Sequence, residues 1–291
     1  MALNKAVFKT RAQSAIVFVV VMLLGLLYNH WSFLLLFTII HFGCWKEYLM
    51  LVEKIYRVSF HRFVKLGLML TGFGMMIAFC GSAFTIGGYG LNENLYLPLT
   101  VAGFLLLAIG IFHKGTIFTL KSFLVAALGW LYISVSWGMM LSLRQEGMVF
   151  KGNLLSLDFG RVYPLLLILS IWANDTFAYL VGSFIGKTPF SPISPKKTWE
   201  GTIGGLIVCV LVMGSAGSYL ITGKIGIEAV YIATIAGITG TAGDLLESKL
   251  KRLANVKDSG NMLPGHGGFM DRFDSLLIAT PFVWLLVKYL F

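Results

Sequence analysis

Apolar residues in this 291-residue chain fall in long runs and do not alternate with polar ones. The runs at 17–27, 101–112, 165–173, 206–213 and 276–289 are the clearest. A helix needs about 20 predominantly apolar residues to cross a hydrocarbon layer, and these runs approach that length with their neighbours. Composition argues against the main alternative, a large soluble enzyme with buried core helices. Hydrophobic residues make up 57% and charged residues 12% of the chain, with a mean hydropathy of +0.82. A soluble domain carries roughly 25% charged residues, so too little polar sequence remains here to coat a soluble core. The expected fold is all-α, a polytopic integral membrane protein of about nine transmembrane helices. They are predicted near 13–29, 31–45, 63–86, 95–112, 118–142, 162–185, 201–222, 227–247 and 275–290.

The opening segment, Met1–Leu27, combines Lys5, Lys9 and Arg11 with an apolar run, as a signal peptide does. No small-residue cleavage site precedes Tyr28-Asn29-His30. Further spans follow, so the segment reads as a retained first helix. With the N-terminus cytoplasmic, 18 of the 23 Lys and Arg residues fall on the cytoplasmic side, as the positive-inside rule requires. The net charge of +10 is then a topological bias, and no basic soluble face for a nucleic acid is visible. Residues 1–160 are expected to hold about five spans, with an interfacial amphipathic segment near 46–62. Residues 161–291 hold the other spans and the polar site. Cys44, Cys80 and Cys209 are scattered without CxxC spacing and read as packing residues.

Only 13 acidic residues are present, and their placement is the main clue to function. Asp175, beside Asn174, lies inside the sixth span, and Asp244 lies near the cytoplasmic end of the eighth. Ionisable groups at membrane depth are costly and are functional candidates by default. If the eighth helix continues past the interface, Asp244, Ser248 and Lys251 share one face at spacings of four and seven. Arg252 stands beside them. The polar loop Lys257-Asp258-Ser259-Gly260 follows, then Gly265-His266-Gly267-Gly268. Its glycines permit tight turns and a close approach of backbone to a ligand. Asp271-Arg272-Phe273-Asp274 leads into the last span, and a helix N-terminus there is an anion site. Residues 244–274 thus hold four Asp, one Glu, five Lys or Arg and one His. Hard oxygen ligands suit Mg²⁺, which bridges substrate phosphates, and Lys and Arg suit the phosphates themselves. Lys196 and Lys197, in a proline-stiffened loop on the same side, are further phosphate candidates. A secondary transporter or channel for an anionic solute is the alternative, although such sites usually sit at mid-membrane between inverted repeats, and no repeat is apparent here.

Read straight through, Ser248-x-Leu250-Lys251-Arg252-x4-Lys257-Asp258-x-Gly260-x2-Leu263-Pro264-x-His266-Gly267-Gly268-Phe269-x-Asp271-Arg272-Phe273-Asp274 resembles the signature of the phosphatidate cytidylyltransferases, or CDP-diacylglycerol synthases. No fixed position departs from that pattern. Residues 194–201 and Asn174-Asp175 with Ala178-Tyr179 are similar to the family's other polar segments. The likeness is strong over about 170–274 and rests elsewhere only on multi-span character. It implies transfer of a cytidylyl group from CTP to phosphatidate, giving CDP-diacylglycerol and pyrophosphate. It further implies a cytoplasm-facing funnel in a homodimer, and the chain's length fits a bacterial plasma membrane.

On that resemblance, Asp244 and Asp271 are the first choices for Mg²⁺, with a second cation left open. Lys251, Arg252 and Lys257 would hold the triphosphate, and Lys196 and Lys197 either substrate. Arg272 would brace the carboxylates or contact phosphate, while Asp258 and Asp274 would orient the cations. Gly267 and Gly268 would let backbone approach the substrate. Asn174 and Asp175 would complete the cavity, and Ser248 would bond a phosphate oxygen or its own helix. His266 is left open, since an anionic nucleophile hardly requires a general base. A CDP-alcohol phosphotransferase is disfavoured because its spaced aspartate motif is absent.

Overall fold

Apolar helices dominate the computed structural model, which describes residues 5–113, 117–149, 159–219, 226–262 and 267–291. Helix α1 spans Lys5–Leu27, α2 His30–Tyr56 and α3 Arg62–Ala78. After a small hairpin come α4, Leu91–Asn94, and α5, Tyr96–Ile111. Helices α6, Leu120–Ala127, and α7, Ser136–Val149, are joined through a π-helical segment, Trp130–Val135. Then follow α8, Val162–Ile185, a second hairpin, and α9, Trp199–Val212, which runs into a π-helical Met213–Gly217. Helices α10, Ile227–Leu253, and α11, Met270–Leu290, complete the described chain.

All nine apolar stretches expected from the sequence contain helix. Among the described residues, seven are long and apolar enough to cross a membrane: His30–Tyr56, Leu91–Ile111, Leu120–Gln145, Val162–Ile185, Trp199–Gly217, Ile227–Leu253 and Met270–Leu290. The other two are shorter. Ala15–Leu27 is the apolar part of α1. Helix α3 has 17 residues, about 26 Å at about 1.5 Å per residue, just under a hydrocarbon thickness of about 30 Å.

Helix ends follow local chemistry. The break between α1 and α2 is fixed by a capping box. In it the Ser32 N–H donates to Asn29 Oδ1 at 2.7 Å and the Asn29 N–H to Ser32 Oγ at 3.0 Å. Thr119 and Ser122 form the same box at the start of α6. Helix α10 ends at Leu253 with Asn255 left-handed at φ 55°. The N–H groups of Val256 and Asn255 return to the carbonyls of Lys251 and Arg252, a Schellman end. Between α3 and α4 lies a hairpin of β1, Thr85–Ile86, and β2, Tyr89–Gly90. Its turn has Gly87 at φ 57° and Gly88 at φ 85°. Positive φ at both central residues is what a type I′ turn requires.

The chain divides into two units, Met1–Leu141 with Leu250–Phe273 and Ser142–Lys249 with Asp274–Phe291. In the first, residues 46–56, read from the sequence as interfacial, are the last turns of α2. Glu47, Tyr48, Leu49, Leu51 and Val52 are buried there. Ser134 of the π-helical segment meets Trp45 Nε1 at 2.9 Å and His41 Nε2 at 3.0 Å. Trp45 Nε1 and His41 Nε2 thus find a partner inside the protein, as the absence of water in a bilayer favours.

In the second unit, glycines bring helix backbones together. A Cβ on Gly201 would lie 2.8 Å from the Ala178 carbonyl oxygen and from Gly182 Cα, and one on Gly205 would strike the Ala178 backbone. One on Gly243 would lie 2.5 Å from the Asp274 carbonyl oxygen. Gly201, Gly205 and Gly243 therefore serve close packing between helices of this chain. Cys44, Cys80 and Cys209 are buried free thiols, as expected of packing residues.

Gly205→Val is expected to destabilise the protein by about 1–3 kcal/mol through overpacking, measured as a lowered thermal midpoint in detergent. Ile203→Val, at a side chain 52% exposed, should change it by less than about 0.5 kcal/mol. Equal stability of the two variants would mean that α8 and α9 do not meet at Gly205.

Candidate functional site

Charged side chains are rare enough in this chain that each cluster can be built residue by residue. In the first unit the cluster grows from the loop between α10 and α11. Helix α10 extends past the apolar run to Leu253, so Asp244, Ser248 and Lys251 stand on one continuous helix, as the spacing predicts. Asp271 lies in the first turn of α11. Lys251 Nζ donates to Asp271 Oδ1 at 2.6 Å. Asp271 Oδ2 accepts from the Ser259 N–H at 2.8 Å, the Ser259 hydroxyl at 2.8 Å and the Gly268 N–H at 2.7 Å. Both carboxylate oxygens are thus engaged by donors of the same loop and helix end.

The second carboxylate of this cluster is one that the sequence does not single out. Glu47, on α2 and 5% exposed, accepts from the Phe269 N–H on Oε1 at 2.9 Å. Its Oε2 accepts from the Met270 N–H at 2.9 Å and lies 2.6 Å from the Ser259 hydroxyl, which shares its one proton between this oxygen and Asp271 Oδ2. The loop glycines are explained by these two carboxylates. A Cβ on Gly260 or Gly268 would strike the Glu47 carboxylate, and one on Gly267, at φ 79°, would lie 2.7 Å from Asp271 Oδ2. The close approach foreseen between backbone and ligand is, in this structure, an approach to the protein's own carboxylates. Arg252, Lys257, Asp258 and Arg272 are exposed around the loop. His266, with Leu263, Pro264 and Gly265, lies outside the described residues.

In the second unit the cluster centres on Asp244, which forms an ion pair with Lys197. Lys197 comes from the hairpin of β3, Pro189–Ser191, and β4, Ser194–Thr198, paired antiparallel. The hairpin is held at its base by Glu200, whose carboxylate accepts from the Thr188 hydroxyl at 2.7 Å and the Lys187 N–H at 3.2 Å. Phe190 and Trp199 pack edge to face, with ring centroids 4.5 Å apart. Lys196, next to Lys197 on β4, is exposed. Asp175, exposed on α8, is in electrostatic range of Lys197 and Asp244. Asp274 is in electrostatic range of Asp244 and Glu247. Asn174 is 4% exposed, and its Oδ1 would lie 3.1 Å from a Cβ on Gly237. Ser248 is half-buried on α10.

The structure therefore gathers Asp175, Lys197, Asp244 and Asp274 in one unit, and Lys251 and Asp271, with Ser259 and Glu47, in the other. Among the described residues, no three His, Cys, Asp or Glu side chains are already arranged around a metal position. The donor chemistry of the second unit nonetheless fits a hard cation. Neighbouring carboxylates repel unless a proton or cation offsets their charge, and oxygen donors are the class that Mg²⁺ takes. Asp271 fits less directly, since a metal there would have to displace Lys251 or a loop donor.

Residues 9–290 match the Cytidylyltransferase family. The chain is 41% identical over 134 residues to the phosphatidate cytidylyltransferase of Bacillus subtilis (strain 168), covering 45% of the chain and 49% of that relative. It is 44% identical over 130 residues to that of Staphylococcus haemolyticus (strain JCSC1435), covering 44% and 50%. With that of Helicobacter pylori (strain ATCC 700392 / 26695) the identity is 40% over 126 residues, covering 42% and 46%. The chain thus spans about half the length of the curated relatives it matches.

Gly260→Ala and Gly268→Ala should each lower the thermal midpoint, at a cost of about 1–3 kcal/mol, because their methyl groups collide with Glu47. Wild-type stability in both would show that the loop does not close on that carboxylate.

Proposed function

The chain belongs to the cytidylyltransferase family, and on that premise we propose that it transfers a cytidylyl group from CTP to phosphatidate. The products are CDP-diacylglycerol and pyrophosphate, for phospholipid synthesis. The observation that carries this reading is the charge arrangement along α10. Asp244 of this apolar, membrane-length helix pairs with Lys197 in one unit, and Lys251 pairs with Asp271 in the other. Both substrates are anionic phosphates, one soluble and one anchored in lipid. An enzyme that joins them needs cations and hard-oxygen donors where a membrane helix reaches water.

In the reaction, a phosphate oxygen of phosphatidate attacks the α-phosphorus of CTP in line. The bond from that phosphorus to the oxygen bridging to the β-phosphate breaks, and pyrophosphate leaves. The nucleophile is already an anion, so no side chain has to remove a proton. Catalysis is then positioning and charge neutralisation. Lys251, with the exposed Arg252 and Lys257, is assigned to the triphosphate. Lys197 and Lys196 are assigned to a substrate phosphate, and Arg272 to phosphate contact. Asp244 and Asp274 would hold Mg²⁺, which when bound neutralises charge on the phosphates. Asp271, expected from the sequence to bind metal, is assigned here to orienting Lys251, since its oxygens are engaged by that lysine and the loop. Asn174 and Asp175 line the polar face of α8, and Ser248 lies between Asp244 and Lys251 on α10. The excess of basic residues on one side and the family resemblance support a homodimer in a bacterial plasma membrane, with its site facing the cytoplasm.

The test is transfer of label from α-³²P-CTP into chloroform-extractable lipid by the purified protein with phosphatidate and Mg²⁺. Wild type should label lipid, EDTA should abolish labelling, and Asp244→Asn should lower the rate by about 100-fold, as loss of a charge-stabilising group does. A folded wild type that transfers no label overturns the proposal. Full activity in Asp244→Asn removes that residue from the site.

A further inference from the structure

We propose that Glu47 is a positioning residue for this reaction, holding Ser259 and the start of α11 so that Asp271 presents Lys251 to the nucleotide phosphates. The inference rests on the cytidylyl-transfer reading above. It assigns a role to a residue far upstream of the signature segment.

A buried carboxylate is costly unless donors surround it, and the donors around Glu47 are unusual in kind. Among the described residues they are one hydroxyl and two backbone N–H groups, with no cation. The two N–H groups, of Phe269 and Met270, belong to the start of α11, where the first N–H groups have no partner within the helix. A helix commonly satisfies them with a local Ser, Thr, Asp or Asn. Phe269, which precedes α11, has no side-chain acceptor. Glu47 supplies the cap from α2, where its negative charge also suits the positive end of the helix dipole.

A local cap would stabilise α11 equally well and leave it free to move with its own loop. A cap delivered from α2 fixes where α11 begins relative to a second element of the same unit. Ser259 then connects that anchor to the chemistry. Its hydroxyl lies 2.6 Å from Glu47 Oε2 and 2.8 Å from Asp271 Oδ2, and Asp271 Oδ1 receives Lys251. The path from α2 to the lysine therefore runs through hydrogen bonds alone. Gly260 and Gly268 leave no room for anything but the carboxylate between loop and helix.

The test compares Glu47→Gln, Ser259→Ala and Glu47→Gln/Ser259→Ala by steady-state kinetics in detergent, alongside Glu53→Gln. Glu53 is a carboxylate on the same helix that holds the Phe60 N–H and Lys65 Nζ, each at 2.8 Å. The glutamine at 47 cannot accept on both ends, so one backbone donor loses its acceptor. Its kcat is expected to fall by about 10- to 100-fold, the scale of an ångström-sized misplacement, while KM for CTP changes by less than about threefold. Ser259→Ala should cost about tenfold alone, and the double variant little more than Glu47→Gln, because both break one path. Glu53→Gln should keep kcat within about twofold, which separates positioning from general loosening of α2. In the wild type, amide exchange at Phe269 and Met270 should be slow for a helix start. If Glu47→Gln is folded and turns over at the wild-type kcat, the inference is overturned. If that variant does not fold, full activity of Ser259→Ala or rapid wild-type exchange at 269–270 overturns it. A folded wild type that transfers no cytidylyl group refutes the reaction itself, and the exchange measurement still decides whether Glu47 pins the loop.

Discussion

Charge placed inside an apolar helical protein has to be answered by donors from the same chain, because neither lipid nor a packed helix interior supplies them. Much of the described structure follows from that demand. Glu47 is answered by a helix start and a serine, Asp271 by a lysine, a serine and a glycine N–H, and Asp244 by Lys197. Each answer fixes a stretch of chain that would otherwise be an irregular connector. Ser259 and residues 268–270 are held by two carboxylates, and the 189–198 hairpin is held by Glu200 at its base and by Asp244 through Lys197.

Glycine is the second half of the same device. Where a carboxylate meets a backbone donor in a packed interior, a Cβ has no place to go, and Gly260, Gly267 and Gly268 occupy those places in the loop. Between helices the same economy of space lets α9 approach α8 and α11 approach α10, at Gly205 and Gly243. The glycines thus serve two unlike ends, shaping an anion-lined loop in one unit and backbone contact between membrane-length helices in the other.

The helices are legible in the sequence because apolar runs of membrane length have few alternatives, and the continuation of α10 to Lys251 is legible from the spacing of Asp244, Ser248 and Lys251. The polar candidates are legible because charges are scarce, so Asp175 and Asp244 stand out. Glu47 does not. It follows Lys46 and precedes Lys54 and Arg57, which makes 46–62 read as an interfacial segment, although the uninterrupted helix from His30 to Tyr56 carries it into the interior. The available signal is the apolar set around it, Trp45, Tyr48, Leu49, Leu51 and Val52, whose spacing buries the face that Glu47 shares. Which carboxylate pairs with which cation is beyond reach, since Lys197 and Asp244 are distant in the chain and their pairing depends on a hairpin too short to announce itself.

Lys197 and Lys251 are both already bonded to carboxylates of their own chain. On the proposed reading, an arriving phosphate would enter by exchange, displacing Asp244 or Asp271 from the lysine it takes. A lone monovalent anion would gain little from such a trade. The resident carboxylates would then act as a threshold, withholding each lysine from stray anions and yielding it to a ligand of high charge density.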